Sequence, residues 1–129
     1  MKAFCVLCTL FILVNSQLRD EIRRAWEEED APFLDECAKE TNVDPQIPKK
    51  MYKDLHFPNE ESFHCYVWCL YNRQNALTPD GKDIEVEVLA MHPYVGLELA
   101  QRCVEEAKNE TDICLKTYVA TVCAIGHHA

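Results

Sequence analysis

The sequence predicts an all-α domain of six helices held by three disulfides, and three observations carry that expectation. Apolar residues recur at helical spacing between proline and glycine stops. Only 3 glycines occur in 129 residues, and Val, Ile and aromatic residues rarely alternate with polar ones as strands require. Six cysteines lie downstream of an export-type leader, an even number suited to a small oxidised domain.

The leader comes first in the chain. Lys2 supplies a positive start, and AFCVLCTLFILV (3–14) is an apolar run too short to cross a bilayer. Small residues at Val14 and Ser16 place a cleavage site after Ser16, so residues 1–16 read as a secretory signal peptide and 17–129 as the mature domain. Cys5 and Cys8 leave with the leader. Removing 16 of 129 residues leaves 113, enough for one domain with one core. No later segment approaches a membrane span, so a soluble, secreted protein is expected.

The helices follow in order. The first spans about Arg19 to Asp30, bends or breaks at Pro32 and resumes to about Lys39. After Asp44-Pro45 a short helix covers about Ile47 to Leu55. The third, rich in aromatics, runs from about Glu60 to Ala76. The turn TPDG (78–81) leads into a fourth from about Ile84 to Met91, stopped by His92-Pro93. The fifth spans about Gly96 to Lys108, and the sixth about Asp112 to Ile125.

In the sixth helix, Leu115, Tyr118, Val119 and Val122 cluster on one face and form its apolar stripe. Lys116, Thr117, Ala120, Thr121 and Ala124 fill the other face. Cys114 and Cys123 stand nine positions apart, about 180° around the axis, so this helix is stapled on both flanks.

Helix geometry restricts the disulfides. Cys114 and Cys123 are separated by about 13.5 Å of rise, beyond disulfide reach. Cys65 and Cys69, in FHCYVWCLYNR, share a face, but Cβ atoms four positions apart lie roughly 5–6 Å from each other. A disulfide needs about 3.8 Å. Excluding these two bonds leaves ten of the fifteen pairings open. Cys65 and Cys69 therefore read as a double anchor to two different helices. Zinc would need two more ligands and a reducing setting, and a redox pair would need Cys-x-x-Cys, which is absent.

The spacing Cys37-x27-Cys65-x3-Cys69-x33-Cys103-x10-Cys114-x8-Cys123 resembles that of the six-cysteine insect odorant-binding proteins, which include pheromone-binding and general odorant-binding members. Tyr66 after Cys65 and the turn Asp80-Gly81-Lys82 fit the same family. The resemblance implies an all-helical fold around an apolar cavity that carries small hydrophobic molecules. It also implies the pairing Cys37–Cys69, Cys65–Cys114 and Cys103–Cys123.

By position relative to the cysteines, the resemblance implies ligand contacts at Ile84, Val88 and Leu89 on the fourth helix and at Val119 on the sixth. Tyr118 and Val122 join that set. Asn72 resembles a position where some members offer a polar group, and a buried amide there would orient an alcohol, ester or carbonyl. Leu55, Phe57, Tyr66, Leu70, Met91 and Leu97 are further candidates, and Met51 suits a pocket of adaptable shape. Trp68 is expected to be partly exposed. Asn109-Glu110-Thr111 is an N-glycosylation pattern in a surface loop. His127 and His128 gain charge near pH 6.5 and suggest acid-promoted ligand release.

Charge and motifs exclude other classes. The chain carries 22 carboxylates against 13 Lys plus Arg; its net charge of −9 becomes −10 once Lys2 is removed. Such a chain gains nothing from neutralising phosphates, so neither nucleic acid nor an anionic membrane is an expected partner. No nucleophile with a neighbouring base appears, so neither enzyme activity, a cofactor nor a metal is expected. The expectation is an extracellular carrier of small apolar ligands that delivers them to a chemosensory receptor. The alternatives are a helical signal or toxin acting through its surface and a carrier outside olfaction. Homodimerisation is compatible with the sequence.

Overall fold

The computed structural model describes residues 17–129, so the signal peptide expected at 1–16, with Cys5 and Cys8, lies outside the described residues. Those described residues form seven helices and no strand beyond one isolated antiparallel bridge between Leu77 and Ile84. They are α1 (Asp20–Asp30), α2 (Leu34–Glu40), α3 (Gln46–Asp54), α4 (Glu61–Arg73), α5 (Val86–Ala90), α6 (Gly96–Glu106) and α7 (Ile113–His128). The count exceeds six because the break at Pro32 divides the first predicted helix completely. Proline has no N–H to give and disfavours helical backbone before it, so α1 closes at Asp30 and α2 restarts at Leu34.

Local chemistry sets the other ends. Asp20 and Glu21 occupy the positive first turn of α1, and Arg23 ties Asp20 to Glu27 across it. The Asp44 carboxylate accepts the Gln46 N–H at 2.9 Å, just ahead of α3. Leu55 ends α3 and Asn75 follows α4, both with left-handed backbone (φ 49° and 57°). Gly81 turns the loop before α5 with φ 72°, a conformation glycine adopts without a Cβ penalty. Asp112 caps α7 by accepting the Cys114 N–H at 2.9 Å.

Helices α4 and α7 lie side by side and run in the same direction, Cys65 meeting Cys114 and Tyr71 meeting Thr121, and they share the most extensive helix contact, with α2 also against α4 and α6 against α7. The bridges follow this order. Cys37–Cys69 ties α2 to α4, Cys65–Cys114 ties α4 to α7, and Cys103–Cys123 ties α6 to α7. The two thiols of α4 thus reach two different helices from adjacent turns. Closing loops of 20 to 49 residues, each bridge stabilises the fold by about 3–4 kcal/mol in the chain-entropy account.

The buried face of α7 corrects the expectation. Ala120, Ala124, Thr117, Ile125 and the stem of Lys116 are buried, whereas Leu115, Tyr118 and Val119 are half-buried and Val122 is 38 % exposed. Small side chains let α7 approach α4 closely, and the Cys65–Cys114 bridge fixes that approach. The large apolar residues are left at the flank. Lys116 stays compatible with this burial by reaching Asp83 at 3.6 Å with its ammonium.

Candidate functional site

Between the helices lies a partly open cavity of about 80 Å³, walled by α1, α3, α4, α5, α7 and the segment that follows α5. Met51, Val67, Leu70, Ala76, Leu89, Val95, Ala124 and Ile125 supply apolar wall. Two aromatic rings, Trp26 and Tyr52, stand 5.7 Å apart at one side. The Trp26 indole is fixed by donating Nε1–H to the Pro93 carbonyl at 2.7 Å, a contact that joins α1 to the chain beyond α5.

The polar part of the wall centres on one connected group, Asp30 with Tyr52 and Gln74. Asp30, the last residue of α1, is buried, and its carboxylate accepts the Tyr52 hydroxyl at 2.6 Å. It also accepts Gln74 Nε2–H at 3.3 Å. Burial pushes the Asp30 carboxyl up to about 6, and the neighbouring Glu29 adds to the rise, while the hydrogen bonds from Tyr52 and Gln74 hold it back. Tyr52 is raised well above an ordinary phenol, first by burial and then by the charge of Asp30, so the phenol is the donor at neutral pH.

His92 and Glu29 complete the polar edge, 3.6 Å apart. Burial lowers the His92 pKa and Glu29 only partly opposes that, which keeps the imidazole neutral near pH 7. On another wall Tyr71 and Thr121 share a hydrogen bond at 2.9 Å, and burial pushes the Tyr71 phenol up to about 12. No Lys or Arg lines the cavity among the described residues.

The residues expected as ligand contacts divide by location. Leu89 lines the cavity. Ile84 is buried and Val88 half-buried, but both belong to the surrounding core and neither lines the cavity. Tyr118, Val119 and Val122 instead line a groove on the outer side of α7, together with Arg102, Glu106, Cys123, Gly126 and His127. The Tyr118 hydroxyl is already used, donating to the Phe57 carbonyl at 2.7 Å. Asn72 is a correction: it is exposed on the outer side of α4, because the inward face there is taken by Val67, Leu70 and Tyr71. The cavity's polar group is Asp30 with Tyr52 and Gln74.

Among the further candidates, Leu70 and Met51 line the cavity, while Met91 and Leu97 are 77 % and 52 % exposed. Tyr66 is fully buried, and its hydroxyl has no hydrogen-bond partner. Trp68 is half-buried, and Asn109 is exposed in the α6–α7 connection. The chain end is helical through His128 rather than stopping at Ile125. There His127 Nδ1 faces the Arg102 guanidinium at 2.8 Å, and His128 Nε2 meets the Tyr94 carbonyl at 2.7 Å, edge-on to Trp26.

The groove and the cavity differ in what they offer an apolar ligand. The groove is larger, about 430 Å³, but open to water, so a ligand there keeps much of its surface wet. The cavity is itself partly open, but most of its lining residues are buried, so an occupant there leaves more of its surface out of water, and the hydrophobic gain scales with that area.

Sequence reasoning passed over Trp26, Asp30, Tyr52 and Gln74, and took His92 only for part of a helix stop. A signal existed in α1, where Ile22, Trp26 and Asp30 follow at intervals of four and share one face. That interval puts Asp30 on the same face of α1 as two apolar residues.

A family model described as the PBP/GOBP family matches residues 20–127 of this stapled helical chain. The chain belongs to the PBP/GOBP family. Its members are insect odorant- and pheromone-binding proteins, secreted carriers of small hydrophobic ligands rather than enzymes. Searches of curated proteins and of solved structures return no match. The all-helical, three-disulfide architecture agrees with the PBP/GOBP fold, and no described helix is long and apolar enough to cross a membrane.

Proposed function

We propose that this protein is a secreted carrier that takes a small hydrophobic molecule into the interior cavity and delivers it to a chemosensory receptor. The observation that carries the reading is the cavity itself, a mostly apolar space held between helices that three disulfides prevent from collapsing. Voids forfeit packing and are destabilising unless the surrounding frame resists closure. Transfer of the ligand's apolar surface from water drives binding, and the Asp30 group orients it.

Leu89, Leu70, Met51, Ala124 and Ile125 are the proposed apolar contacts. Ile84 and Val88 support Leu89 from the second layer. Tyr118, Val119 and Val122 line the outer groove and are proposed as an entry-side surface rather than as the seat. Residues 1–16 are proposed as the export signal and Asn109 as a glycosylation acceptor.

Displacement of a fluorescent apolar probe from the oxidised protein tests the carrier function. Saturable binding that small apolar competitors reverse is the expected result. Absence of binding in a protein folded with three disulfides would leave a surface-acting role.

A further inference from the structure

The cavity wall combines three things that a neutral hydrocarbon ligand does not need. It contains a buried carboxylate, Asp30, with a second carboxylate, Glu29, at the rim. It contains two large aromatic rings, Trp26 and Tyr52, beside that carboxylate. The one basic group among its lining residues, His92, is kept neutral by burial near pH 7. We propose that the cavity selects small protonated amines, with the ammonium head held by Asp30 against the faces of Trp26 and Tyr52 and a short apolar tail lying toward Leu89 and Ala124. The proposal rests on the carrier reading of the same cavity and specifies its ligand class.

The hydrogen-bond inventory leaves room for such a head. A carboxylate has about four acceptor positions, and Asp30 uses one for Tyr52 and one for Gln74. The remaining lone pairs have no protein donor, whereas an ammonium carries three donors. Aromatic faces attract cations through the ring quadrupole, most strongly where the contact is desolvated. The Trp26 ring is locked by its bond to Pro93, so little side-chain freedom is lost on binding.

Electrostatics points the same way. Burial makes the ionised Asp30 unfavourable in the empty protein, and Glu29 compounds this. A cation in the cavity relieves both effects, whereas an alcohol offers one hydroxyl donor to the carboxylate and no charge to offset Glu29. The titratable groups around Asp30 are Glu29 on its own helix, Tyr52 on α3, Tyr66 and Tyr71 on α4 and His92 beyond α5. At neutral pH none of these supplies a positive charge. Size limits the tail, since about 80 Å³ is roughly half of a 150 Å³ cavity known to hold benzene.

The test compares n-butylamine with its isostere n-butanol, by NMR titration of the full mature protein at pH 7.5. Wild type is expected to bind the amine at least tenfold more tightly. Asp30→Asn is expected to erase that preference, and Glu29→Gln to reduce it only in part. Equal affinities in wild type, or a preference that survives in Asp30→Asn, would overturn the amine assignment while n-butanol binding leaves the carrier reading standing. Binding of neither molecule would overturn both. If Asp30→Asn does not fold, the Asp30 carboxyl carbon is titrated in wild type. Saturating n-butylamine lowers its midpoint by at least one pH unit if the proposal holds, and an unmoved midpoint overturns it.

Discussion

The Tyr52 hydroxyl donates to the Asp30 carboxylate at 2.6 Å, joining the last residue of α1 to the last turn of α3 inside the cavity wall. Both groups are buried, so neither can fall back on water, and the pair sets the polarity of a space that is otherwise mostly apolar.

Stability should therefore depend on pH through Asp30. Its folded pKa of about 6 lies above the ordinary 3.8, so the native state holds the proton more tightly than the unfolded chain. The resulting stabilisation is fully present below about pH 4 and is lost as pH rises through 6. Its size is on the order of 3 kcal/mol. The stability difference between wild type and Asp30→Asn should shrink or reverse by that order between pH 4 and pH 7. Urea denaturation of both proteins across this range gives the value, and a constant difference would show that Asp30 titrates normally.

Tyr66 presents the opposite case, a fully buried hydroxyl with no partner. Leaving such a group unsatisfied costs about 1–3 kcal/mol. Tyr66→Phe removes the oxygen and keeps the ring, which stacks with Phe63 at 5.7 Å. The variant is expected to equal or exceed wild type in denaturant midpoint. A loss above about 1 kcal/mol would mean the hydroxyl has a partner in solution.

The staple between α4 and α7 closes the longest of the three loops, 49 residues. Replacing both Cys65 and Cys114 by Ser should cost about 4 kcal/mol and, by loosening the most extensive helix pair, weaken ligand binding as well. Chemical denaturation reports the first effect and probe binding the second. Unchanged affinity in a folded double variant would separate the cavity from the staple.

Filling the cavity tests its role directly. Ala124 lines it from α7, and Ala124→Leu adds three carbons to a space of about 80 Å³. Probe affinity is expected to drop at least tenfold with the fold retained by circular dichroism. Asn72→Ala, on the outer side of α4, should leave affinity unchanged.

The sequence made the helices legible because proline and glycine stops bracket nearly every apolar run, and the break at Pro32 is a backbone effect independent of tertiary contacts. The bridges were only narrowed by geometry, since ten pairings fit helix spacing and the resemblance to odorant-binding proteins alone selects one. The buried face of α7 was not legible. Hydropathy favours Tyr118, Val119 and Val122, yet close helix approach favours Ala120 and Ala124, whose small size matters more than their hydrophobicity. Asp30 and Gln74 were missed because a polar residue at a helix end reads as solvated, and only the chains packed around it make it interior.

The central claim is that the interior cavity, not the outer groove, is the seat of the ligand. Amide chemical-shift mapping during titration with a small apolar ligand tests it most directly. Shifts concentrated at Leu70, Leu89, Ala124 and Ile125 are expected. Shifts confined to Val119, Val122 and His127 would instead place the ligand in the groove.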